Sequence, residues 1–215
     1  MFFRLARLGL LIVLLAHHAA GQSARPRIGD ERVGALLARA RARGLADDGW
    51  LLVVSVADQC LALLATHTPP RQFAVSTSKW GVGSREDSNQ TPMGWHRVTA
   101  WIGGDARPGQ VFVARQPTDQ VLPPSAWRND QSGDFVLTRI LWLDGLENGT
   151  NRGAGVDSRS RFIYLHGTNQ EHLLGQPASH GCIRLANRDV MELFDLTRDR
   201  PTYCWIIPGT LASAW

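Results

Sequence analysis

The sequence predicts a mostly β domain with one or two packed helices, and three observations lead there. Short apolar or β-branched runs recur from Trp50 onward, separated by turn residues. Two segments, 28–43 and the one opening at Asn187, carry helical apolar spacing instead. The 215 residues are 44% hydrophobic and 20% charged, a balance that fills one core of ordinary size.

Taken in order, Arg4 and Arg7 make a positive opening and Leu8 to Ala16 an apolar run. Ala19-Ala20-Gly21 then supplies the small residues a signal peptidase reads. Residues 1–21 are expected to be a signal peptide cleaved before Gln22, so the protein is expected to be exported to the periplasm or cell wall. The run is short for a membrane span, and no stable insertion is expected after cleavage. Residues 22–49 form an N-terminal helical segment in which Ile28, Val33, Leu36 and Leu37 share a face opposite arginines, with Gly44 as its stop. It is expected to pack on the outside of the domain.

The domain itself is placed at 50–210, with 211–215 as a tail. Trp50 to Val56, Leu61 to Ala65 and Gln72 to Thr77 read as an antiparallel meander, broken at Ala57-Asp58-Gln59 and at Thr68-Pro69-Pro70. Gly81 to Gly94 has no periodicity and is a long loop, a kind that is often functional. Arg97 to Ile102, Val111 to Ala114, Phe135 to Leu143 and Arg161 to Leu165 are further strands, the last two separated by a loop over Gly145 to Ser160. Asn187 is placed as the N-cap of a helix whose buried stripe is Val190, Leu193 and Phe194. Pro201 ends it, and Tyr203 to Ile207 make a final strand.

Charge excludes one class of function. The net charge is +4, and without Arg4 and Arg7 there are 21 basic against 19 acidic residues, too even a balance for a nucleic-acid footprint. Of the three cysteines, Cys60 and Cys204 lie in strand-like runs where a disulfide or two buried thiols are both open readings. Cys182 has a different setting.

That setting is His166-Gly167-Thr168, a spacer, then Ser179-His180-Gly181-Cys182-Ile183-Arg184. A thiol attacks a carbonyl carbon as thiolate, and a nearby imidazole can take its proton. His166 follows the apolar run Phe162 to Leu165, so a rigid element presents its ring. The Gly167 carbonyl is placed to orient that ring through its other nitrogen. Gly181 lets the main chain turn and aim amides at a reacting carbonyl. Those are the parts of an acyl-transfer site. The alternatives are a structural cysteine, or zinc held by His166, His172 and His180, a spacing that matches no standard metal motif. Spacing alone leaves the catalytic reading open beside them.

The stretch from Ser179 to Arg184, preceded by His166-Gly167-Thr168, resembles the signature of the L,D-transpeptidase (YkuD-type) catalytic domain. Val54 to Gln59 with Leu61 and Leu63 is similar to that family's opening hairpin. Val75 to Gly81 and Thr91-Pro92-Met93-Gly94 are similar to its next strand and loop. Phe112-Val113 and Arg139 to Leu143 fit as later core strands, so the resemblance covers residues 50–208.

The resemblance implies a mixed β-sandwich with one or two packed helices and a cleft holding the thiol. It implies Cys182 as nucleophile and His166 as base oriented by Gly167, with the amides of His180, Gly181 and Cys182 as oxyanion hole. It places Arg184 to fix the cysteine loop or bind a substrate carboxylate. Ser179, which the resemblance places beside the substrate, and His180 more readily shape the loop, and His172 is expected at the surface. The implied partners are peptidoglycan stem peptides, with carbapenem β-lactams as covalent inhibitors; no metal or organic cofactor is implied. The implied reaction is formation of L,D (3-3) cross-links through a Cys182 thioester. L,D-carboxypeptidase or lipoprotein-releasing hydrolysis on the same site are the alternatives, and a non-catalytic wall-binding module would be expected to have lost Cys182 or His166.

Overall fold

Trp50–Ser55 and Cys60–Ala65 are buried at every residue because both of their faces are covered. Trp50, Leu52, Val54, Leu61 and Leu63 pack into the main core, while Leu51, Val53, Ala62 and Leu64 pack outward under an N-terminal helix. The structure, a computed structural model, describes residues 30–128 and 133–214. The expected signal peptide and Ile28 lie outside the described residues.

In chain order the elements are α1 (Asp30–Arg41), β1 (Trp50–Ser55), β2 (Cys60–Ala65), β3 (Thr68–Ser76), β4 (Gly94–Ile102), β5 (Gln110–Val113) and β6 (Gln116–Val121). They continue with β7 (Val136–Gly145), β8 (Tyr164–Gly167), β9 (Ile183–Leu185), α2 (Asn187–Thr197) and β10 (Thr202–Ile207). The strands run β4-β10-β1-β2-β3-β9-β8-β7-β5-β6, and β4 also pairs with β7. Eight strands therefore close on themselves, and the β5–β6 hairpin hangs from β7. β1–β10 and β8–β9 are parallel; the other pairs are antiparallel. One face of this curled sheet packs with Val190, Leu193 and Phe194 of α2.

Helix α1 lays Val33, Leu36, Leu37 and Ala40 on the outer face of β1 and β2. It stops in a Schellman arrangement: Gly44 has φ +98, its N–H donates to Arg41 O, and the Leu45 N–H reaches Ala40 O. Its arginines are not simply solvated. Arg39 and Arg43 sit over Trp205 and Trp95, which stack on each other with centroids 4.9 Å apart. At the other end of the chain, Leu211 and Ala214 are buried in the same outer cluster.

Several elements differ from the expectation. Thr68-Pro69-Pro70 belongs to β3, and the turn lies at Thr66-His67, where His67 has φ 58. The prolines are tolerated because the β2–β3 register shifts there and β9 pairs only with the far end of β3. Strand β6 has no apolar signal, since it is a polar strand at the sheet's open edge. Arg161–Ile163 forms a turn, with Phe162 at φ 57, so β8 begins at Tyr164 and His166 lies within it. The N-cap of α2 is Ala186; the Asn187 side chain is spent elsewhere. Cys60, Cys182 and Cys204 form no disulfide with one another, and Cys60 and Cys204 lie in different clusters on opposite faces of the sheet.

Among the described residues, no helix is long and apolar enough to cross a membrane. The buried polar residue with the clearest effect on stability is His96. Its Nδ1 contacts Gly94 O at 3.0 Å and its Nε2 the Ser158 hydroxyl at 2.9 Å. Burial lowers its pKa from 6.5 to about 4. The unfolded chain takes up this proton at higher pH than the native one, so stability is expected to be lost as pH falls from about 6.5 through about 4. Urea melts across that window should show the loss, and His96→Gln should flatten part of it; equal slopes in both proteins would refute the linkage.

Candidate active site

Strand alternation sorts β7, β8 and β9 into two faces. Leu141, Leu165, Ile183 and Leu185 point into the main core. Ile140, Trp142 and Tyr164 pack together on the other face, with Cys182 against them. The parallel register sets Leu165 beside Ile183 and His166 beside Arg184. Cys182 precedes β9 by one residue and so falls level with Tyr164, whose N–H donates to its sulfur at 3.4 Å. Cys182 and His166 are thus same-face diagonal neighbours on adjacent strands, a separation of about 7–8 Å between their backbones. Imidazole and thiol side chains span such a gap. The parallel pairing of β8 with β9 is what puts the two residues on one face.

His166 is buried, and its Nδ1 lies 2.8 Å from Gly167 O. Donation of the Nδ1 proton to that carbonyl leaves the lone pair on Nε2. The Cys182 thiol donates to Phe162 O at 3.4 Å and, among the hydrogen bonds of the described residues, makes none to His166. Burial pushes the thiol up to about 11, against the pull of the Tyr164 N–H and of Arg184 and Arg161. Burial likewise holds His166 below the ordinary imidazole value, although the Gly167 carbonyl and Asp134 favour its protonation. Both shifts favour a neutral thiol beside a neutral imidazole in the resting site. Alkylation of Cys182 by iodoacetamide in the substrate-free protein should therefore keep rising from pH 8 to pH 10. A plateau reached by pH 7 would mean a resting thiolate–imidazolium pair.

The loop before the cysteine is tightly built. Ser179 is buried; its hydroxyl donates to Cys182 O at 2.6 Å and accepts from the Gly181 N–H at 3.2 Å. Gly181 has φ +122, and its carbonyl accepts from the Thr91 hydroxyl at 3.0 Å. Thr91 also accepts from the Ser78 N–H, and the Lys79 N–H donates to Ser179 O. The long loop expected at 81–94 thus braces the cysteine loop from one side. The Ser179 hydroxyl is thus engaged within the loop, and the Gly181 amide, one of the three expected at the oxyanion, donates to it.

Arg184 is 1% exposed, and its contacts are those of a residue that fixes the cysteine loop, one of its two expected roles. Its guanidinium pairs with Asp134 and donates to Gln170 Oε1 at 2.7 Å. Asp134 also receives His180 Nδ1 at 3.1 Å, and the His180 ring tilts against Trp80 with centroids 4.8 Å apart. Arg184 is a tie between the cysteine loop and the segment leading into β7. His172 is half-buried in a short 3-10 turn at Glu171–Leu173.

Against Gly167 lies a second polar group that the motif did not announce. Asn187 is fully buried; its Nδ2 donates to Thr168 O and Glu171 Oε1, and its Oδ1 accepts from the Thr138 hydroxyl. Thr138 has φ 72, rare for a β-branched residue, at a bulge in β7. Sequence offered no cue for Asp134, Thr138 or Glu171. On the far side, the loop after β7 is pinned by Asn151, whose Nδ2 reaches Met93 O and Trp95 O and whose carbonyl receives the Ser158 N–H.

The sequence model of the L,D-transpeptidase catalytic domain (YkuD) matches residues 49–209. YqjB of Bacillus subtilis (strain 168), which bears a provisional L,D-transpeptidase name, is 30% identical over 92 residues. That match covers 40% of this chain and spans about half, 52%, of the relative. Among solved structures, an L,D-transpeptidase from Mycobacterium smegmatis is 16% identical with a TM-score of 0.42, covering 74% of this chain and 58% of that one. L,D-transpeptidase 3 from Mycobacterium tuberculosis, solved with a faropenem-derived adduct, is 14% identical with a TM-score of 0.42, covering 74% and 60%.

Proposed function

Because the chain belongs to the L,D-transpeptidase catalytic domain family, we propose that it is an exported peptidoglycan acyltransferase that forms 3-3 cross-links through a Cys182 thioester. The observation that carries this reading is the pairing of β8 with β9, which sets Cys182 and His166 on one face with Nδ1 of the imidazole tied to the Gly167 carbonyl. In the first step Cys182 turns from Phe162 O toward Nε2 and gives up its proton. Its sulfur then bonds to the carbonyl carbon of the third stem residue. The His180 and Cys182 amides receive the oxyanion. The C–N bond to the terminal D-alanine breaks, and His166 returns the proton to the departing amine. In the second step an amine of another stem attacks the thioester, His166 takes its proton, and the thiol is restored.

The neutral resting pair suits this sequence. A thiol held near 11 is protected from adventitious oxidation and ionises as substrate arrives beside a base with a free lone pair. Incubation with a disaccharide tetrapeptide, followed by mass spectrometry, tests the reading. Dimers lacking one D-alanine are expected. Free tripeptide alone would assign the L,D-carboxypeptidase reaction, and no product would remove acyl transfer altogether. A carbapenem should leave a mass adduct on Cys182, and an unmodified protein would favour a wall-binding module.

A further inference from the structure

Two chambers open on either side of Phe162, the residue whose carbonyl receives the Cys182 thiol. One, of about 340 Å³, is walled by Phe112, Val136, Ile140, Phe162 and Tyr164, with Arg115 reaching in from the tip of the β5–β6 hairpin. The other, of about 210 Å³, holds Glu86, Asp87, Arg161 and His180. The two chambers differ: the first sets a cation on apolar walls, and in the second the Arg161 cation is already accompanied by Glu86 and Asp87.

Arg115 is unusual in three ways. Its guanidinium lies 4.6 Å from the Trp142 ring centroid and 4.9 Å from that of Phe162, and Nη1 donates to the Tyr164 hydroxyl at 3.2 Å. No carboxylate of the described residues pairs with it. It also sits in the left-handed region, φ 67, next to Ala114 at φ 47, in a two-residue turn where glycine and asparagine are the usual occupants. A strained turn that keeps a long cation over aromatic rings holds that cation in one place. An arginine so held, half-buried and lacking an acidic partner, is a receptor for a carboxylate, which it can grip with two parallel N–H donors.

We propose that Arg115 is the specificity-determining residue that receives the C-terminal carboxylate of the acyl-donor peptide; this rests on the acyl-transfer reading above. The attacked carbonyl of a tetrapeptide stem is one residue from a free carboxylate, and Phe162 and Tyr164 line the chamber while touching the Cys182 sulfur through their backbones. In the other chamber the Arg161 cation already interacts with Glu86 and Asp87, which makes it a weaker receptor for the same group. With the carboxylate on Arg115, the departing D-residue lies in the apolar chamber and the scissile carbonyl lies over Cys182.

The test compares kcat/KM for two tetrapeptide stems, one ending in D-alanine and one in D-alaninamide. Wild-type protein should prefer the free acid by on the order of tenfold or more, the value of one charge-assisted contact. Arg115→Gln should bring the ratio to about one chiefly by slowing the acid, and Arg115→Lys should restore part of it. A wild-type ratio near one overturns the proposal without reference to any variant, as does an Arg115→Gln protein that keeps the wild-type ratio. Wild-type protein inert toward both peptides would instead overturn the acyl-transfer reading on which the proposal stands.

Discussion

Cys182→Ala should lower turnover of a disaccharide tetrapeptide on the order of 10⁴-fold or more, because no other group of the site can form the thioester. The fold should survive. The side chain is half-buried, and the lost partners are one carbonyl and one amide at 3.4 Å each, so the cost is about 1 kcal/mol. Circular dichroism and thermal melting should therefore report a native protein with an inert site. Cys60 and Cys204 are buried in other clusters and cannot substitute. Residual activity within tenfold of wild type would mean that the reaction does not pass through this sulfur.

Gly167→Ala should have the next largest effect, for a reason that joins packing to catalysis. A Cβ at this position would lie 2.4 Å from Asn187 Oδ1 and 2.8 Å from the backbone Leu137 O. Asn187 cannot yield, since Thr138, Thr168 and Glu171 hold its amide on both sides. Relief must come from moving β8 away from β7, at a cost of about 2–3 kcal/mol. That motion displaces the carbonyl that orients His166, and misplacement by about 1 Å is worth on the order of 10² in rate. Urea melts and carbapenem acylation rates measure the two effects. An alanine variant with wild-type values of both would show that the site tolerates the shift.

The fold was largely legible where periodicity and burial agree. Strands β1 and β2 stood out because both faces are covered and every residue but Ser55 is apolar. Helix α1 and the stripe of α2 stood out because one face of each is buried. Strand β6 was invisible because an edge strand needs only backbone partners, and its residues are polar. The prolines of β3 read as a break because their tolerance depends on the neighbour that β3 lacks there. Arg161–Ile163 read as strand because apolar content alone does not reveal a residue held at φ 57.

The site divides along the same line. His166, Gly167, Gly181 and Cys182 were candidates by residue type, but their spacing alone left structural and metal readings open, and it was the resemblance of the whole stretch to the L,D-transpeptidase signature that gave them roles. Which hydroxyl serves the loop, which amide is already taken, and that Arg184 turns to Asp134 and not to solvent depend on groups far away in the chain. So does the seating of Arg115 over Trp142 and Phe162, because the β5–β6 turn, β7 and the turn before β8 are separate parts of the chain. A sequence pattern can specify chemistry carried by neighbouring residues and the period of a buried face. Partners brought together by strand pairing, and the desolvation that keeps the thiol and imidazole neutral, exist only once the sheet has closed.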